Sequence, residues 1–425
     1  MSLVEAADGI LETHVSWEEL EAKLQETLGT NAKFGPNKTA ESIGDFKGFS
    51  SKIALIEPDW TDKRDDEDLP KKFVCKICSL LSLANLQKML NLKEEDGWTK
   101  EKFEAVAPLF RTVHNHEIMI YEIMMNELNN GHSNLKFPKL FGAQKFEGEN
   151  VLRAYIITEY VENVHQIEMH ETISVESMES VLRAVASYSA IGTRLSEEEL
   201  KFAKELDVIQ ILFQQFFDKK GLQSIFRNMN THYPIEYKED IDELNRLFDE
   251  VFTTTEYLAK LSNSAGLLAH KQALLHGDMW GSNLLFARNE RNVLTLKSLI
   301  DYQVVRMGSP GQDIARLFAS CLTKNDRREK RDHLLKVFYE EFVKEIGDRG
   351  VPYTFDQLVQ SYELFFPTMG FIAIPNSMQF FDFTKLSENE KAMLLDSVLD
   401  KMIGLLDDVL ETHRRNLSKF PQFFQ

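Results

Sequence analysis

The segment LLHGDMWGSNLLF (274–286), followed by LIDYQ (299–303), places His276, Asp278, Asn283 and Asp301 at short, regular spacing. Asn283 lies five residues after Asp278, and Asp301 eighteen after Asn283. These residue types suit phosphoryl transfer, where protein groups place the acceptor in line and neutralise charge on the phosphates. A carboxylate on a tight loop can orient a hydroxyl and take its proton, and Gly277 permits such a loop before Asp278. An amide oxygen and a carboxylate, from Asn283 and Asp301, are hard ligands suited to Mg2+, which keeps several waters and bridges nucleotide phosphates. A hairpin between them would return position 301 to the side of position 283. The plainer explanation is a capping Asp and two turn residues; four residue types at matched spacing favour a site.

The elements that must position these groups change character along the chain. Ser16-Trp17-Glu18-Glu19 is a capping-box pattern opening a short helix. Residues 41–60 read as strands around a small-residue turn, TDKRDDEDLP (61–70) as a solvated acidic loop, and FVCKIC (73–78) as a strand. Periodicity predicts helices over 80–95 and 99–130, and FPKLFGAQKFEGENVLRAYIITEY supplies two or three strands with EGEN as a turn. Beyond residue 160 long helices dominate: 176–191, 197–217, 239–262 and 386–411, the last opening with the capping box Ser387-x-x-Glu390. One strand pair, SNLLFA (282–287) and LTLKSLID (294–301), interrupts them. A sheet-rich part followed by a helical part predicts an α+β fold of two lobes, 1–160 and 161–425, with a hinge near 160.

Composition narrows the function classes. The 425 residues carry 49 Lys+Arg against 67 Asp+Glu, a formal net charge of −18, with 43% hydrophobic residues. That is ordinary globular composition, and the negative sign argues against nucleic acid and anionic membranes as partners. Three cysteines are too few for a disulfide framework. Cys75 and Cys78 form a lone CxxC whose odd separation on a strand puts the thiols on opposite faces, so buried structural cysteines are expected. His114 and His116 diverge as i and i+2 on a helix and are expected not to be ligands. No signal peptide and no run of ~18 apolar residues is found, which predicts a reduced, cytoplasmic protein.

HGDxxxxN followed by a strand ending in Ile-Asp resembles the aminoglycoside phosphotransferase and choline kinase superfamily, whose fold is protein-kinase-like. HGDMWGSNLLF, IDYQ and GSPGQDIARLF are similar to its ecdysteroid-kinase-like branch (the CHK kinase-like domain), and particularly to an uncharacterised subfamily expanded in nematodes. Residues from about 30 to 410 fit its order of elements. The resemblance implies Asp278 as catalytic aspartate, Asn283 and Asp301 as metal ligands, and His276 as a brace for the loop. Asp313 sits at a helix start, where an N-cap role is expected; the resemblance adds that its carboxylate holds the catalytic-loop backbone. FVCKI resembles the strand whose lysine contacts the nucleotide α/β-phosphates, which makes Lys76 the candidate. Glu117, four residues before Tyr121, matches the helix glutamate that fixes it, with Glu122 as competitor. ITEYVEN resembles the segment that pairs with the adenine edge through main-chain groups of Glu159 and Val161. IGDFKGFSSK holds Gly44 and Gly48 but no GxGxxG; Gly48 with Ser50 and Ser51 offers phosphate donors or forms a plain hairpin turn. No GxxxxGK[ST] occurs, which removes the P-loop NTPases.

Two departures from protein kinases stand out. Trp280 replaces the lysine two residues after the aspartate, removing a cation near the γ-phosphate, and Asp301-Tyr302-Gln303 replaces Asp-Phe-Gly. Both favour a small-molecule acceptor. SYELFFPTMGFIAIPNSMQFFDF (361–383) has the aromatics of a pocket for a steroid-like or choline-like ligand, but a buried helix pair is the favoured explanation. The expectation is an ATP- and Mg2+-dependent phosphotransferase with a small-molecule alcohol as substrate. A catalytically silent, nucleotide-binding pseudokinase scaffold is the alternative, and a metal-dependent hydrolase would need more ligands than this loop offers.

Overall fold

A computed structural model describes residues 2–44, 50–89, 99–132, 134–206, 233–291, 293–382, 384 and 386–425. The chain divides into two compact units, Met1–Ser133 with Phe137–Glu162, and Asn134–Lys136 with Asn163–Gln425.

The first unit is built on a five-stranded antiparallel sheet in the order β1-β2-β3-β5-β4. Its strands are β1 (Thr39–Ser42), β2 (Ser51–Glu57), β3 (Phe73–Cys78), β4 (Leu140–Gln144) and β5 (Tyr155–Glu159). Helix α1 (Trp17–Leu28) begins at Ser16 with both bonds of the expected capping box and ends at Gly29 in the left-handed conformation. Strand alternation sends Phe73, Cys75 and Ile77 into one core with Leu20, Leu24 and Ile157. Cys78 packs in a second cluster with Leu80, Phe103 and Ala107. The two thiols therefore lie on opposite faces, free and buried, and burial pushes Cys78 up to about 12. Helix α2 (Lys100–Asn129) starts at the Thr99 cap and buries Val113, Glu117, Ile120, Tyr121 and Met124. The EGEN turn closes with a bridge from Glu147 to Asn150, and Gly148 takes a φ of +56° there.

The second unit is mainly helical. Its principal helices are α3 (Val175–Ile191), α4 (Gly311–Cys321), α5 (Lys324–Ile346), α6 (Phe355–Asp382) and α7 (Glu388–Lys419). Helix α7 carries the expected capping box at Ser387 and Glu390. Helix α4 is buried at every position and packs along α6, which in turn packs on α7. The aromatic stretch expected as a helix pair is one helix over 361–382, and position 383 lies outside the described residues. Its Tyr362, Phe365, Phe366, Met369 and Phe371 are core residues.

Three expectations for this unit are corrected. The helix expected over 239–262 is broken into Lys238–Leu247, a π-turn at Phe248–Phe252 and Thr255–Ser262, the last restarted by a Thr254 cap. The strand pair β8 (Leu284–Arg288) and β9 (Leu294–Leu299) is joined by β6 (His165–Gln166), and β7 (Ala273–Leu275) pairs with β10 (Arg306–Gly308). These added strands have two or three residues, too few to show a period. Of helix 197–217 the described residues show Phe202–Glu205, and positions from 207 on lie outside them. No helix among the described residues is long and apolar enough to cross a membrane.

Candidate active site

The loop after β7 is fixed from three directions. Gly277 takes a φ of +84°, and a Cβ there would meet the Val304 carbonyl oxygen at 2.1 Å, so no other residue fits this turn. Asp313, in the first turn of α4, accepts the His276 N–H at 2.7 Å on Oδ2 and the Gly277 N–H at 3.0 Å on Oδ1. Burial pushes the Asp313 carboxyl up, opposed by these two donors and by the nearby Arg316 guanidinium. The N-cap position belongs instead to Pro310, with no side-chain cap bond; Asp313 is committed to the loop.

His276 is fully buried. Its Nε2 lies 3.0 Å from the Ile300 carbonyl, and its Nδ1 accepts the Asp278 N–H at 3.3 Å. A carbonyl only accepts and an amide N–H only donates, so the ring is the neutral Nε2–H tautomer. It links the loop to the segment after β9, its one N–H given to the Ile300 carbonyl. Tyr302 packs under it at 4.7 Å between ring centroids.

Asn283 ends a short 3-10 turn, Gly281–Asn283. Its Nδ2 donates to the Asp278 carbonyl at 2.8 Å and approaches Asp278 Oδ2 at 3.4 Å. That leaves Oδ1 as the oxygen Asn283 can offer a cation. The β8–β9 hairpin pairs Leu284 with Leu299, and the Ile300 N–H donates to the Asn283 carbonyl at 3.1 Å. Position 301 therefore returns beside position 283, and Asp301 turns there with a φ of +69°. Among the described residues no group of three or more His, Cys, Asp and Glu gathers to hold a metal. A hard cation that takes one or two protein oxygens does not need such a group.

The Asp278 side chain is 24% exposed and its Oδ1 is heavily engaged. Arg316 Nη1 lies 2.6 Å from it and the Trp280 indole N–H donates to it at 2.7 Å. Arg316 also donates to the Gly277 carbonyl at 3.1 Å, and its guanidinium lies 4.8 Å from the Trp280 ring centroid. Sequence reasoning missed Arg316. Trp280 leaves its own position without a cation, and α4 brings one to the Asp278 carboxylate. The only signal was its place in DIARLF, one helical turn after Asp313 and so on the same face.

In the first unit, Lys76 Nζ lies 2.6 Å from Glu117 Oε2, with the side chains 14% and 1% exposed. The competitor Glu122 pairs with Lys145 at 2.8 Å on the surface. Period-2 alternation puts Lys76 on the face of β3 opposite Cys75, toward α2. The Glu159 N–H donates to the Lys139 carbonyl at 2.9 Å, so its carbonyl is the main-chain group it can offer a base; Val161 follows β5, half-buried. Gly48 lies outside the described residues. His114 is buried, edge-on to Phe146 at 5.6 Å, and burial pushes it down to about 3, so it is neutral.

An antiparallel sheet with a lysine–glutamate pair, ahead of a helical unit with this loop and hairpin, has the element order of a protein-kinase-like fold. Residues 3–417 match the DUF1679 family, described as "Uncharacterized oxidoreductase dhs-27", and the chain belongs to that family. The Caenorhabditis elegans protein named "Uncharacterized oxidoreductase dhs-27" is 20% identical over 323 residues, 74% of this chain and 36% of that protein. The C. elegans "Uncharacterized kinase-like protein D1044.1" is 25% identical over 183 residues, 41% of this chain and 46% of that one. The chain thus spans less than half the length of either relative. Among solved structures, the GDP complex of aminoglycoside 2'-phosphotransferase-IIIa is similar at 11% identity and a TM-score of 0.42, over 93% of this chain and 99% of that one.

Proposed function

We propose that this chain is an ATP- and Mg2+-dependent phosphotransferase whose acceptor is a hydroxyl of a small molecule: a steroid-like, choline-like or other alcohol. The observation that carries this is the 276–283 loop, where Asp278 is presented on a backbone pinned by Asp313, with Asn283 and the start of Asp301 brought side by side. Asp278 orients the acceptor hydroxyl and takes its proton, as the general base. His276 keeps the loop in register with Ile300. Asn283 Oδ1 and the Asp301 carboxylate hold the metal, which when bound neutralises charge on the phosphates. Lys76, fixed by Glu117, holds the α/β-phosphates, and main-chain groups of Glu159 and Val161 take the adenine edge.

The word oxidoreductase is in the name of a relative of which this chain covers 36%, and the family's description repeats that name. The present sequence has no G-x-G anywhere, so the dinucleotide fingerprint is missing. The test is a metabolite screen on the purified chain with ATP consumption as readout. Mg2+-dependent phosphorylation of an alcohol, lost in Asp278→Asn, is the expected result. Nucleotide binding with no turnover on any acceptor would favour the scaffold instead.

A further inference from the structure

Position 280 holds tryptophan where protein kinases carry a lysine, yet the Asp278 carboxylate is not without a cation. Arg316 reaches it from α4, 38 positions away in sequence, with its own side chain 9% exposed. The bonds it makes are chemically particular. One Nη1 bridges Asp278 Oδ1 at 2.6 Å and the Gly277 carbonyl at 3.1 Å, while the guanidinium stacks at 4.8 Å on the ring whose N–H donates to the same Oδ1. A planar, delocalised cation makes a bridge and a stack together, and a lysine ammonium does not. Oδ1 therefore has two strong donors, whereas Oδ2 has one long approach, from Asn283 Nδ2 at 3.4 Å.

Asp313 and Gly277 already set most of the loop's backbone path, to which Arg316 adds its bond to the Gly277 carbonyl. Asp313 already holds the N–H groups of His276 and Gly277, and Gly277 fixes the turn. Beyond that one bond, what Arg316 adds is restraint on a side chain. A loose phosphoryl-transfer transition state asks the carboxylate to orient the acceptor more than to strip it, so this restraint bears on rate.

We propose that Arg316 is a positioning residue: from a helix remote in sequence it supplies the cation that position 280 lacks, and with Trp280 it fixes Asp278 so that Oδ2 receives the acceptor proton. The proposal rests on the phosphotransferase reading. In the step it serves, the acceptor oxygen forms a bond to Pγ. The bond from Pγ to the β,γ-bridging oxygen breaks and its electron pair leaves on ADP. The acceptor proton passes to Oδ2 and then to solvent.

The experiment compares Mg2+-dependent ATP hydrolysis, with water as acceptor, against affinity for a fluorescent ATP analogue. It uses the full chain, Arg316→Met, Arg316→Lys, Trp280→Phe, Asp278→Asn and the Asp278→Asn/Arg316→Met double variant. Arg316→Met should lower turnover about 10²-fold, the scale of a misplaced catalytic group, with nucleotide affinity held within about twofold. Arg316→Lys should recover about tenfold of that loss, and Trp280→Phe should lose about tenfold by itself. In the double variant the losses should not multiply, because the effect of Arg316 on turnover runs through the placement of Asp278. A wild-type rate in Arg316→Met, or losses that multiply, would overturn the assignment; if Arg316→Met does not fold, the lysine and Trp280→Phe variants decide it. The Trp280 indole N–H resonance reads the clamp without turnover: it should shift in both Arg316→Lys and Asp278→Asn, and an unmoved resonance would overturn the clamp. A wild-type chain that hydrolyses no ATP and phosphorylates no acceptor would fail the phosphotransferase reading itself, an outcome separate from an active chain indifferent to Arg316.

Discussion

Lys76 and Glu117 meet at 2.6 Å with the carboxylate almost wholly buried, while Glu122, five residues further along the same helix, faces solvent and Lys145. Two carboxylates on one helix thus have unequal consequences. Removing Lys76 takes the cation from a buried carboxylate; removing Lys145 takes one from a carboxylate that already faces water.

Lys76→Met should therefore destabilise the chain by about 3 kcal/mol, and Glu122→Gln by less than about 1 kcal/mol. Urea unfolding of each variant checks this. The Lys76→Met/Glu117→Gln double variant should regain most of the stability and none of the nucleotide affinity. Recovery of both would mean that the pair serves the fold alone.

Asp278→Asn should lower turnover by about 10²–10⁴-fold, the usual scale of a general base, with nucleotide affinity nearly unchanged. Steady-state rates beside equilibrium nucleotide binding measure the two terms. Equal losses of both would make Asp278 a structural residue.

Asp301→Ala should abolish the Mg2+ dependence of nucleotide binding, since Asn283 Oδ1 alone is a weak anchor for a doubly charged ion. Calorimetric titration of ATP with and without Mg2+ reads this directly. If Mg2+ still tightens binding in the variant, the metal is held elsewhere.

Asp313→Asn keeps one oxygen for one of two amide donors and turns an amide group toward the other. The unmatched, buried N–H should cost about 1–3 kcal/mol. Turnover should fall with it, because His276 and Gly277 set the position of Asp278. An Asp313→Asn variant with wild-type stability and rate would show that the loop holds itself.

The HGDxxxxN run and the returning Ile-Asp were legible because Asp278, Asn283 and Asp301 belong to one loop and one hairpin, so local spacing encodes their geometry. Lys76 and Glu117 were legible more weakly, through period-2 and helical phase. Arg316 was not legible, because its partner lies across a tertiary contact and an arginine in an apolar helix has no period that announces a carboxylate. The break after Leu247 was missed for a different reason. Residues 248–252 are apolar enough to extend the helical pattern, and only the Thr254 cap marks the restart.

Stability should also depend on pH through buried imidazoles. Burial pushes His114 down to about 3 and His413 to about 4, whereas in an unfolded chain both titrate near ~6.5. The unfolded state then binds more protons below neutrality, so stability is full above that value and falls as pH drops toward 4. The slope is at most about 1.4 kcal/mol per pH unit for each group. Urea midpoints at pH 7.5, 6.5 and 5.5 should decline, and His114→Leu should flatten the decline. A midpoint that stays constant would mean that His114 is charged when folded.

Helix α4 has no solvent face, and it is this helix that grips the loop through Asp313 and Arg316. The amides of His276 and Gly277 belong to a connecting segment, yet freeing them requires an element enclosed by the core to come loose. Their deuterium uptake should run on the clock of whole-molecule opening rather than that of a surface loop. In time as well as in space, the loop that presents Asp278 should then behave as part of the core.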